Sequence, residues 1–216
     1  MQRVADGLWR WTGLHPDWEK EPDAGWPREV GCVYHEASDA VVLIDPLIPP
    51  EDTVRFLAEL DRDVASAARP VAVVLTVFWH ERSAPELAAR YAASIWSDRR
   101  TAHRHDVPPT HTYEPGQTLP GGVLALDAHG RNECLLWIER HGTLVAGDIL
   151  HGARDGGLSL CPDDWLHPHV EASDVRRSLR ALLELPVERV LVAHGEPVLE
   201  NARRALERAL HAPSAS

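Results

Sequence analysis

The chain has 216 residues, of which 44% are hydrophobic and 25% charged, a composition typical of a folded globular domain and unlike that of disordered or collagen-like proteins. Acidic residues outnumber basic ones by 33 to 22, and the net charge of -11 disfavours contact with the phosphate backbone of nucleic acids. No apolar run is long enough to cross a bilayer, and no secretory signal is recognisable. We therefore expect one cytoplasmic domain over residues 1–216 that binds neither nucleic acid nor membrane.

Several common classes of site find no support in the sequence. The only lysine, Lys20, follows Glu19, so the Gly-Lys-Ser/Thr core of a phosphate-binding P-loop is absent. The Gly-x-Ser-x-Gly turn of serine hydrolases and the Gly-x-Gly-x-x-Gly turn of dinucleotide-binding proteins are absent as well. The three cysteines have no Cys-x-x-Cys spacing, which suits reduced thiols rather than disulfides or a thiolate zinc site.

The predicted elements alternate between short apolar strands and amphipathic helices. The predicted strands cover residues 30–35, 41–44, 71–76, 123–126, 135–139, 143–145 and 190–192. The predicted helices carry the apolar sets Val54, Leu57, Leu60 and Val64; Leu87 and Tyr91; Val175, Leu179, Leu182 and Leu183; and Leu199, Ala202, Leu206 and Leu210. Two strand-rich blocks, each completed by helices, predict an α/β fold in which two mixed β-sheets stack and helices cover the outer faces, a four-layer αββα sandwich.

Three polar residues of the kind that bind metals directly follow predicted strands. His129 comes after residues 123–126, Asp148 after residues 143–145, and His194 after residues 190–192. Sites in sheet-based α/β folds gather at the carboxyl ends of strands, so we expect these three side chains to converge.

Five short motifs occur in the order and approximate spacing of the metallo-β-lactamase superfamily, and the match covers nearly the whole chain. They are Asp45-Pro46, Leu75-Thr76, His129-Gly130, Gly147-Asp148 and His194-Gly195. The chain therefore resembles this superfamily. The resemblance implies the same four-layer fold and a site where two metal ions, usually zinc, activate a bridging water to hydrolyse esters, amides, thioesters or phosphoesters.

The main metal-binding signature of that superfamily, Thr-His-x-His-x-Asp-His, has changed in this chain. The matching segment runs from Thr76 to Arg82 and reads TVFWHER. Val77 and Trp79 stand at the first two histidine positions, Glu81 at the aspartate and Arg82 at the third histidine.

The losses remove most of one metal site and part of the other. With Asp148 as the bridging carboxylate that the resemblance implies, the first site keeps only His129 and Asp148, because apolar side chains offer no lone pair. The second keeps Asp148 and His194, but Arg82 brings a permanent cation to the place of a metal ion. We therefore expect no dinuclear centre and no metal cofactor.

A single-metal site is the alternative. One zinc or other divalent ion would be held by His129, Asp148 and His194, with Glu81 or His80 completing the set. The strand-end geometry of the superfamily directs His80 away from the site, so its participation requires a shift of one residue.

In the absence of a metal, Arg82 is expected to supply the missing positive charge. Glu81 and Asp148 are the candidate catalytic residues of the remnant pocket, which Val77, Trp79 and Arg82 are expected to line. Because unpaired buried carboxylates are costly, we predict that Arg82 points inward and pairs with Asp148 or Glu81.

Two functions of different classes follow. The first is a binding module for a small-molecule ligand or a protein partner, without di-zinc hydrolase activity. The second is a hydrolase of a small ester, thioester or lactone that uses one metal or a metal-free acid–base pair, such as Glu81 with His129 or His194. Tryptophans near the N-terminus leave room for a homodimer contact.

Overall fold

The computed structural model describes residues 1–18, 26–153 and 156–211. Its strands are β1 Gln2–Ala5, β2 Leu8–Leu14, β3 Glu29–Glu36, β4 Val41–Ile44, β5 Val71–Val74, β6 Ser94–Asp98, β7 His111–Tyr113, β8 Thr118–Leu119, β9 Val123–Asp127, β10 Cys134–Ile138, β11 Thr143–Ala146, β12 Leu150–Gly152, β13 Leu158–Leu160 and β14 Arg189–Val192. The α-helices are α1 Thr53–Ala67, α2 Ala84–Tyr91, α3 Ala172–Leu179 and α4 Ala202–His211. Among the described residues, no helix is both long and apolar enough to span a bilayer.

The first sheet contains seven strands in chain order, β1 to β7. Strands β1 to β4 pair antiparallel, and β4 to β7 pair parallel. Parallel neighbours require a crossover connection, which α1 provides between β4 and β5 and α2 between β5 and β6. The carboxyl ends of β4 and β5 therefore lie at the same edge of this sheet.

The second sheet has the order β14-β11-β10-β9-β8. Its strands pair antiparallel from β8 to β11, whereas β11 and β14 pair parallel and have helix α3 in the connection between them. Strands β12 and β13 form a separate hairpin. The ends of β11 and β14 consequently lie side by side, at the edge where the site is built.

Three apolar clusters separate the four layers. The middle cluster joins the two sheets through Val42, Ile44 and Val74 on one side and Leu136 and Val145 on the other. A second cluster packs the first sheet against α1 and α2, and a third packs the second sheet against α3 and α4. The predicted αββα sandwich of two mixed sheets is therefore confirmed, with each half of the chain contributing one sheet and its helices.

The predicted helices are present, but their buried faces and limits differ in detail. In α1, Phe56 and Leu60 are buried, whereas Val54 is 84% exposed. Val54 precedes Phe56 by two residues, which places it on the opposite side of a helix with 3.6 residues per turn. The last helix begins at Ala202 rather than Leu199, and α3 passes into a 3-10 helix, Arg180–Glu184, that contains two of its predicted apolar residues.

Candidate functional site

Three potential metal ligands meet at the junction of the two sheets. His80 ends a 3-10 helix, Phe78–His80, that follows β5. Asp148 follows β11 and His194 follows β14, so the second sheet supplies two of the three. All three side chains are buried, and one potential ligand atom from each lies within 4.8 Å of the others. The predicted convergence of Asp148 and His194 is therefore observed, and His80 is the third member.

The two oxygen atoms of Asp148 have different partners. Oδ1 lies 3.0 Å from Nε2 of His194 and 3.1 Å from Nε2 of His80. Oδ2 accepts hydrogen bonds from the indole Nε1 of Trp79 at 2.7 Å and from Nη2 of Arg131 at 3.2 Å. One oxygen therefore faces the two histidines while the other is fully engaged by the tryptophan and the arginine.

Asp45 fixes the orientation of His80 from the other side of the ring. Its Oδ2 lies 2.9 Å from Nδ1 of His80, and its carboxylate accepts hydrogen bonds from the backbone N–H of Thr76 at 2.8 Å and from Thr76 Oγ1 at 2.5 Å. Asp45 itself follows β4 with a left-handed backbone, φ 47°. A carboxylate behind a histidine is the usual arrangement that aims the opposite ring nitrogen at a metal ion.

The electrostatics of the cluster are dominated by burial and by mutual attraction. Burial by itself would raise the pKa of Asp148, but the charge of His80 and the hydrogen bond from His194 hold this pKa well below its usual range. Burial and the charge of Arg82 oppose protonation of His80, yet Asp148 and Asp45 outweigh them and raise its pKa. Burial lowers the pKa of His194 despite the nearby Asp148. Asp148 is therefore ionised.

A second buried carboxylate, Glu133, holds the turn that carries Asp148. It accepts hydrogen bonds from the backbone N–H groups of Gly147, Asp148 and Ile149 at 3.0 Å each. Burial first, and then the charge of Asp148, raise the pKa of Glu133 to about 8. Gly147 fits where no larger residue could, because a Cβ there would overlap Thr76 Oγ1.

His194 is positioned by backbone contacts of the segment after β14 with β3 and β12. The N–H of Gly31 in β3 donates to the carbonyl of Ala193 at 2.8 Å, and the N–H of Gly152 donates to the carbonyl of His194 at 2.9 Å. A Cβ at Gly31 would overlap the carbonyl oxygen of Val192. The absence of a side chain at Gly31 thus lets the end of β14 approach β3.

The cluster opens into a cavity of about 590 Å³, called the site cavity below. Three tryptophans, Trp26, Trp79 and Trp165, and two arginines, Arg82 and Arg131, line it together with the three clustered residues. The guanidinium of Arg131 lies over the rings of Trp79 and Trp165, 4.8 and 5.0 Å from their centres. The site cavity therefore combines aromatic walls with cationic groups, as small-molecule sites commonly do.

His129, predicted as a ligand, does not join the cluster. Its side chain is 55% exposed, and Nδ1 lies 3.1 Å from Oδ2 of Asp127. The backbone at His129 has a left-handed φ of 46°, and the residue is not among those that line the site cavity. That part of the predicted ligand set is therefore wrong, because the turn after β9 directs the imidazole to solvent.

Glu81, predicted as a catalytic residue and a substitute ligand, also faces elsewhere. Its carboxylate accepts hydrogen bonds from the backbone N–H groups of Asp106 and Val107, and Oε2 lies 3.1 Å from Nδ1 of His105. Glu81 therefore anchors the loop after β6 and does not line the site cavity. The predicted acid–base pair of Glu81 with His129 or His194 is consequently not assembled.

Arg82 points into the site cavity as predicted, but its predicted carboxylate partners are wrong. Its Nη1 donates to the backbone carbonyls of Asp45 at 2.9 Å and Gly31 at 3.2 Å. The cation beside Asp148 is Arg131, which the sequence analysis missed because it follows the His129-Gly130 motif in a loop without periodic pattern. Arg131 pairs with Asp148 in the place predicted for Arg82, and Arg82 donates to backbone carbonyls and not to a carboxylate among the described residues.

The two replaced histidine positions behave differently. Trp79 lines the site cavity, where its indole binds Asp148. Val77 is 1% exposed and is not among the residues that line the site cavity, so its predicted place in the pocket is wrong. The backbone is extended at Val77 and enters the 3-10 helix immediately afterwards, which turns this side chain into the protein interior.

The donor set fits one metal ion better than two. Zinc at 2.0–2.1 Å from its ligands places neighbouring ligand atoms about 3.3 Å apart in a tetrahedral site. The distances from Asp148 Oδ1 to the two imidazoles, 3.0 and 3.1 Å, are close to that spacing. Among the described residues, His80, Asp148 and His194 are the one group of histidine, cysteine or carboxylate side chains arranged for a metal ion.

Comparison with known proteins identifies relatives by structure alone. No protein-family model and no curated protein matches the sequence. A metallo-β-lactamase from Pontibacter korlensis has a TM-score of 0.70 at 15% identity and covers 97% of this chain and 95% of its own. DIM-1 metallo-β-lactamase gives 0.66 at 15% identity, with 96% of each chain covered. FIM-1 from Pseudomonas aeruginosa, in a mono-zinc form, gives 0.62 at 13% identity, with 98% and 96% covered.

These structural matches extend over nearly the whole length of both chains. The chain has the metallo-β-lactamase fold.

Proposed function

We propose that this chain binds a single divalent metal ion, with zinc as the first choice, and hydrolyses a small ester, thioester or lactone. The observation that carries the proposal is that the two carboxylate oxygens of Asp148 have different partners. Its Oδ1 faces Nε2 of both His80 and His194, while its Oδ2 is held by Trp79 and Arg131. A carboxylate arranged in this way offers one oxygen to one ion.

The other residues of the site have definable tasks in this proposal. A bound zinc ion would lower the pKa of a water molecule and polarise a substrate carbonyl. Asp45 keeps the Nε2 atom of His80 directed at the ion, as partners behind metal ligands do in general. Trp79 and Arg131 hold Asp148 in its orientation through their hydrogen bonds to Oδ2.

The structural neighbour FIM-1 has been solved in a mono-zinc form, so one protein with this fold is described with a single zinc ion. This supports a one-metal site here without establishing it. The substitutions at Val77 and Trp79 support the absence of a second ion, because neither side chain can coordinate one.

A second candidate, a metal-free binding module for a small molecule, is favoured by the ion pair between Arg131 and Asp148. The guanidinium and carboxylate side chains are only 11% and 4% exposed and lie 3.2 Å apart. This pair supplies positive charge to Asp148 without a metal. In this case the site cavity would bind its ligand and leave it unchanged.

The two candidates are separated by an activity assay on zinc-loaded protein. The substrates are 4-nitrophenyl acetate, phenyl thioacetate and δ-valerolactone, and the variants are His80→Asn and the matched control His129→Asn. Hydrolysis by the wild type and the control, with a loss of at least about 100-fold in His80→Asn, is expected, since losing a ligand costs more than losing a partner behind it. Wild-type rates no higher than those of His80→Asn on all three substrates would reject the hydrolase in favour of the binding module.

The choice of ligand class is supported by the amino-acid composition. The excess of acidic residues supports a small-molecule ligand over nucleic acid. Cytoplasmic location and a homodimer stay predictions from the sequence.

A further inference from the structure

Arg82 differs from the other arginine of the site cavity in having no carboxylate partner among the described residues. Arg131 pairs with Asp148, so its charge is compensated. The Arg82 guanidinium instead donates through Nη1 to two backbone carbonyls, those of Asp45 and Gly31. Carbonyl oxygens satisfy N–H groups but do not neutralise a cation, so the positive charge of Arg82 is not paired with a carboxylate among the described residues.

The backbone fixes Arg82 in this place. Its φ of 39° is left-handed, and the next residue, Ser83, donates its backbone N–H to the carbonyl of Pro46 at 3.1 Å. Non-glycine residues adopt such a backbone rarely, and only where their surroundings hold them in it. The side chain is half-buried, lines the site cavity and is held by the hydrogen bonds from Nη1 to two backbone carbonyls.

The charge of Arg82 acts on groups around the site cavity. Burial first, and then Arg82, lower the pKa of His15 to about 4. The positive charge of Arg82 therefore reaches His15, another residue that lines the site cavity.

One donor of the Arg82 guanidinium is available to an anion. Nη1 is engaged by the backbone, and Nε is buried without a hydrogen bond to any of the described residues, so a ligand in the cavity does not reach Nε. Among the described residues Nη2 has no hydrogen-bond acceptor, and Arg82 lines the site cavity. A carboxylate oxygen can therefore accept one charge-assisted hydrogen bond from Nη2.

The site cavity also has aromatic walls. The ring centres of Trp26 and Trp165 lie 5.5 and 6.0 Å from that of His194, and Trp79 contacts Asp148. Two carboxylates, Asp17 and Asp164, also belong to the lining, but both are exposed to solvent, where water screens their charge. A ligand with an acidic end and an apolar or aromatic body matches this lining.

We propose that the site cavity binds a small organic acid, with the carboxylate on Arg82 and the apolar body against Trp26, Trp79 and Trp165. The assignment of this acid as part of the hydrolysed substrate rests on the proposed function. Binding of the acid itself does not, because the charge of Arg82 and the aromatic walls of the site cavity are present without a metal ion.

The test compares phenylacetate with phenylacetamide, which has nearly the same shape but no charge. Full-length protein is treated with chelator, and binding is followed by titration calorimetry at pH 7. Phenylacetate is expected to bind at least about tenfold more tightly than phenylacetamide, as a charge-assisted contact requires. Arg82→Gln should abolish this preference, while Arg90→Gln, which removes an equal charge from the surface pair with Asp61, should preserve it.

Three results would overturn the proposal: equal affinity for acid and amide, no binding of either, or an Arg82→Gln variant that binds the acid as the wild type does. Arg82→Lys keeps the positive charge on a more strongly hydrated group, so an intermediate affinity is expected even if Arg82→Gln fails to fold. Inorganic phosphate that binds as tightly as phenylacetate would contradict the aromatic half of the proposal. Because the protein is metal-free throughout, a failed hydrolase assay and a failed acid-binding assay are separate outcomes.

Discussion

Oδ2 of Asp45 lies 2.9 Å from Nδ1 of His80, and this contact determines which ring nitrogen is available to Asp148. With the proton on Nδ1, neutral His80 presents the lone pair of Nε2 to Oδ1 of Asp148 at 3.1 Å. Two acceptors at this distance repel each other unless a proton or a metal cation is shared between them. His80, Asp148 and His194 therefore form a site that requires one positive charge, either a proton or a metal cation, between their facing atoms.

Trp79→Phe should weaken metal binding while leaving the aromatic wall in place. The change removes the indole N–H that donates to Asp148 Oδ2 at 2.7 Å, so the carboxylate is less firmly oriented. We expect zinc affinity to fall about 10- to 100-fold, the usual effect of losing a partner behind a ligand. Competition with a chromophoric chelator measures it. Trp96→Phe, which removes an indole N–H bound to Ser94, is the control and should leave the affinity unchanged.

Glu133→Gln should destabilise the turn that carries Asp148. Above about pH 8, where Glu133 is ionised, its carboxylate accepts from the N–H groups of residues 147–149 with two oxygens, whereas an amide offers one oxygen and places an N–H₂ donor against the others. We expect the free energy of unfolding in urea at about pH 9 to fall by about 1–3 kcal/mol. The control is Glu114→Gln, which breaks an exposed pair with Arg99 and should cost less than about 1 kcal/mol. Equal losses in the two variants would contradict the structural role of Glu133.

Gly147→Ala should be destabilising without any change of charge. The new methyl group would overlap Thr76 Oγ1, and Thr76 cannot yield freely because its backbone and hydroxyl both donate to Asp45. Overpacking of this kind costs about 1–3 kcal/mol. The control is Ser159→Ala at an exposed position of β13, which should leave the free energy of unfolding nearly unchanged. A Gly147→Ala variant as stable as the wild type would show that the turn has space to spare.

Stability should fall in mild acid because of a buried histidine pair away from the site. The rings of His35 and His141 lie 5.3 Å apart, and burial, followed by the charge of His35, lowers the pKa of His141 from 6.5 to about 4. Burial also lowers the pKa of His35. Between pH 6.5 and 4 the unfolded chain binds protons that the folded chain does not, so stability is full above pH 6.5 and declines as the pH falls.

His141→Gln removes one of these titrating groups. We expect the slope of unfolding free energy against pH to decrease by up to about 1.4 kcal/mol per pH unit in this window. Urea unfolding at pH 7 and pH 5 measures the change. His103→Gln is the control, and a slope reduced equally in both variants would contradict the assignment to the buried pair.

Sequence patterns predicted the fold and the convergence of Asp148 and His194 because these depend on local periodicity and on strand ends, whereas His80 was predicted only as a ligand that requires a shift of one residue. Asp148 and His194 each follow a strand of the second sheet, and both were predicted there. The segment after β5 could not be predicted in the same way. Its 3-10 turn sends His80 inward and the next residue, Glu81, toward the loop at residues 105–107, and no apolar repeat records that turn.

Arg131 illustrates the second limit of sequence reasoning. Its contact with Asp148 joins a loop before β10 to the end of β11, and its position between two tryptophans depends on segments far apart in the chain. Arg82 stands at the third histidine position of the motif and was therefore assigned to Asp148 or Glu81. The geometry of the left-handed residue after the 3-10 turn places Arg82 against backbone carbonyls instead.

The central claim, one metal ion held by His80, Asp148 and His194, is tested most directly by zinc stoichiometry and affinity in purified protein. Elemental analysis after dialysis against a low concentration of zinc should give one ion per chain for the wild type and for His129→Asn, whose imidazole lies in solvent. His80→Asn and His194→Asn should each lose the ion. Two ions per chain, none in the wild type, or a loss in His129→Asn equal to that in His80→Asn would contradict the account.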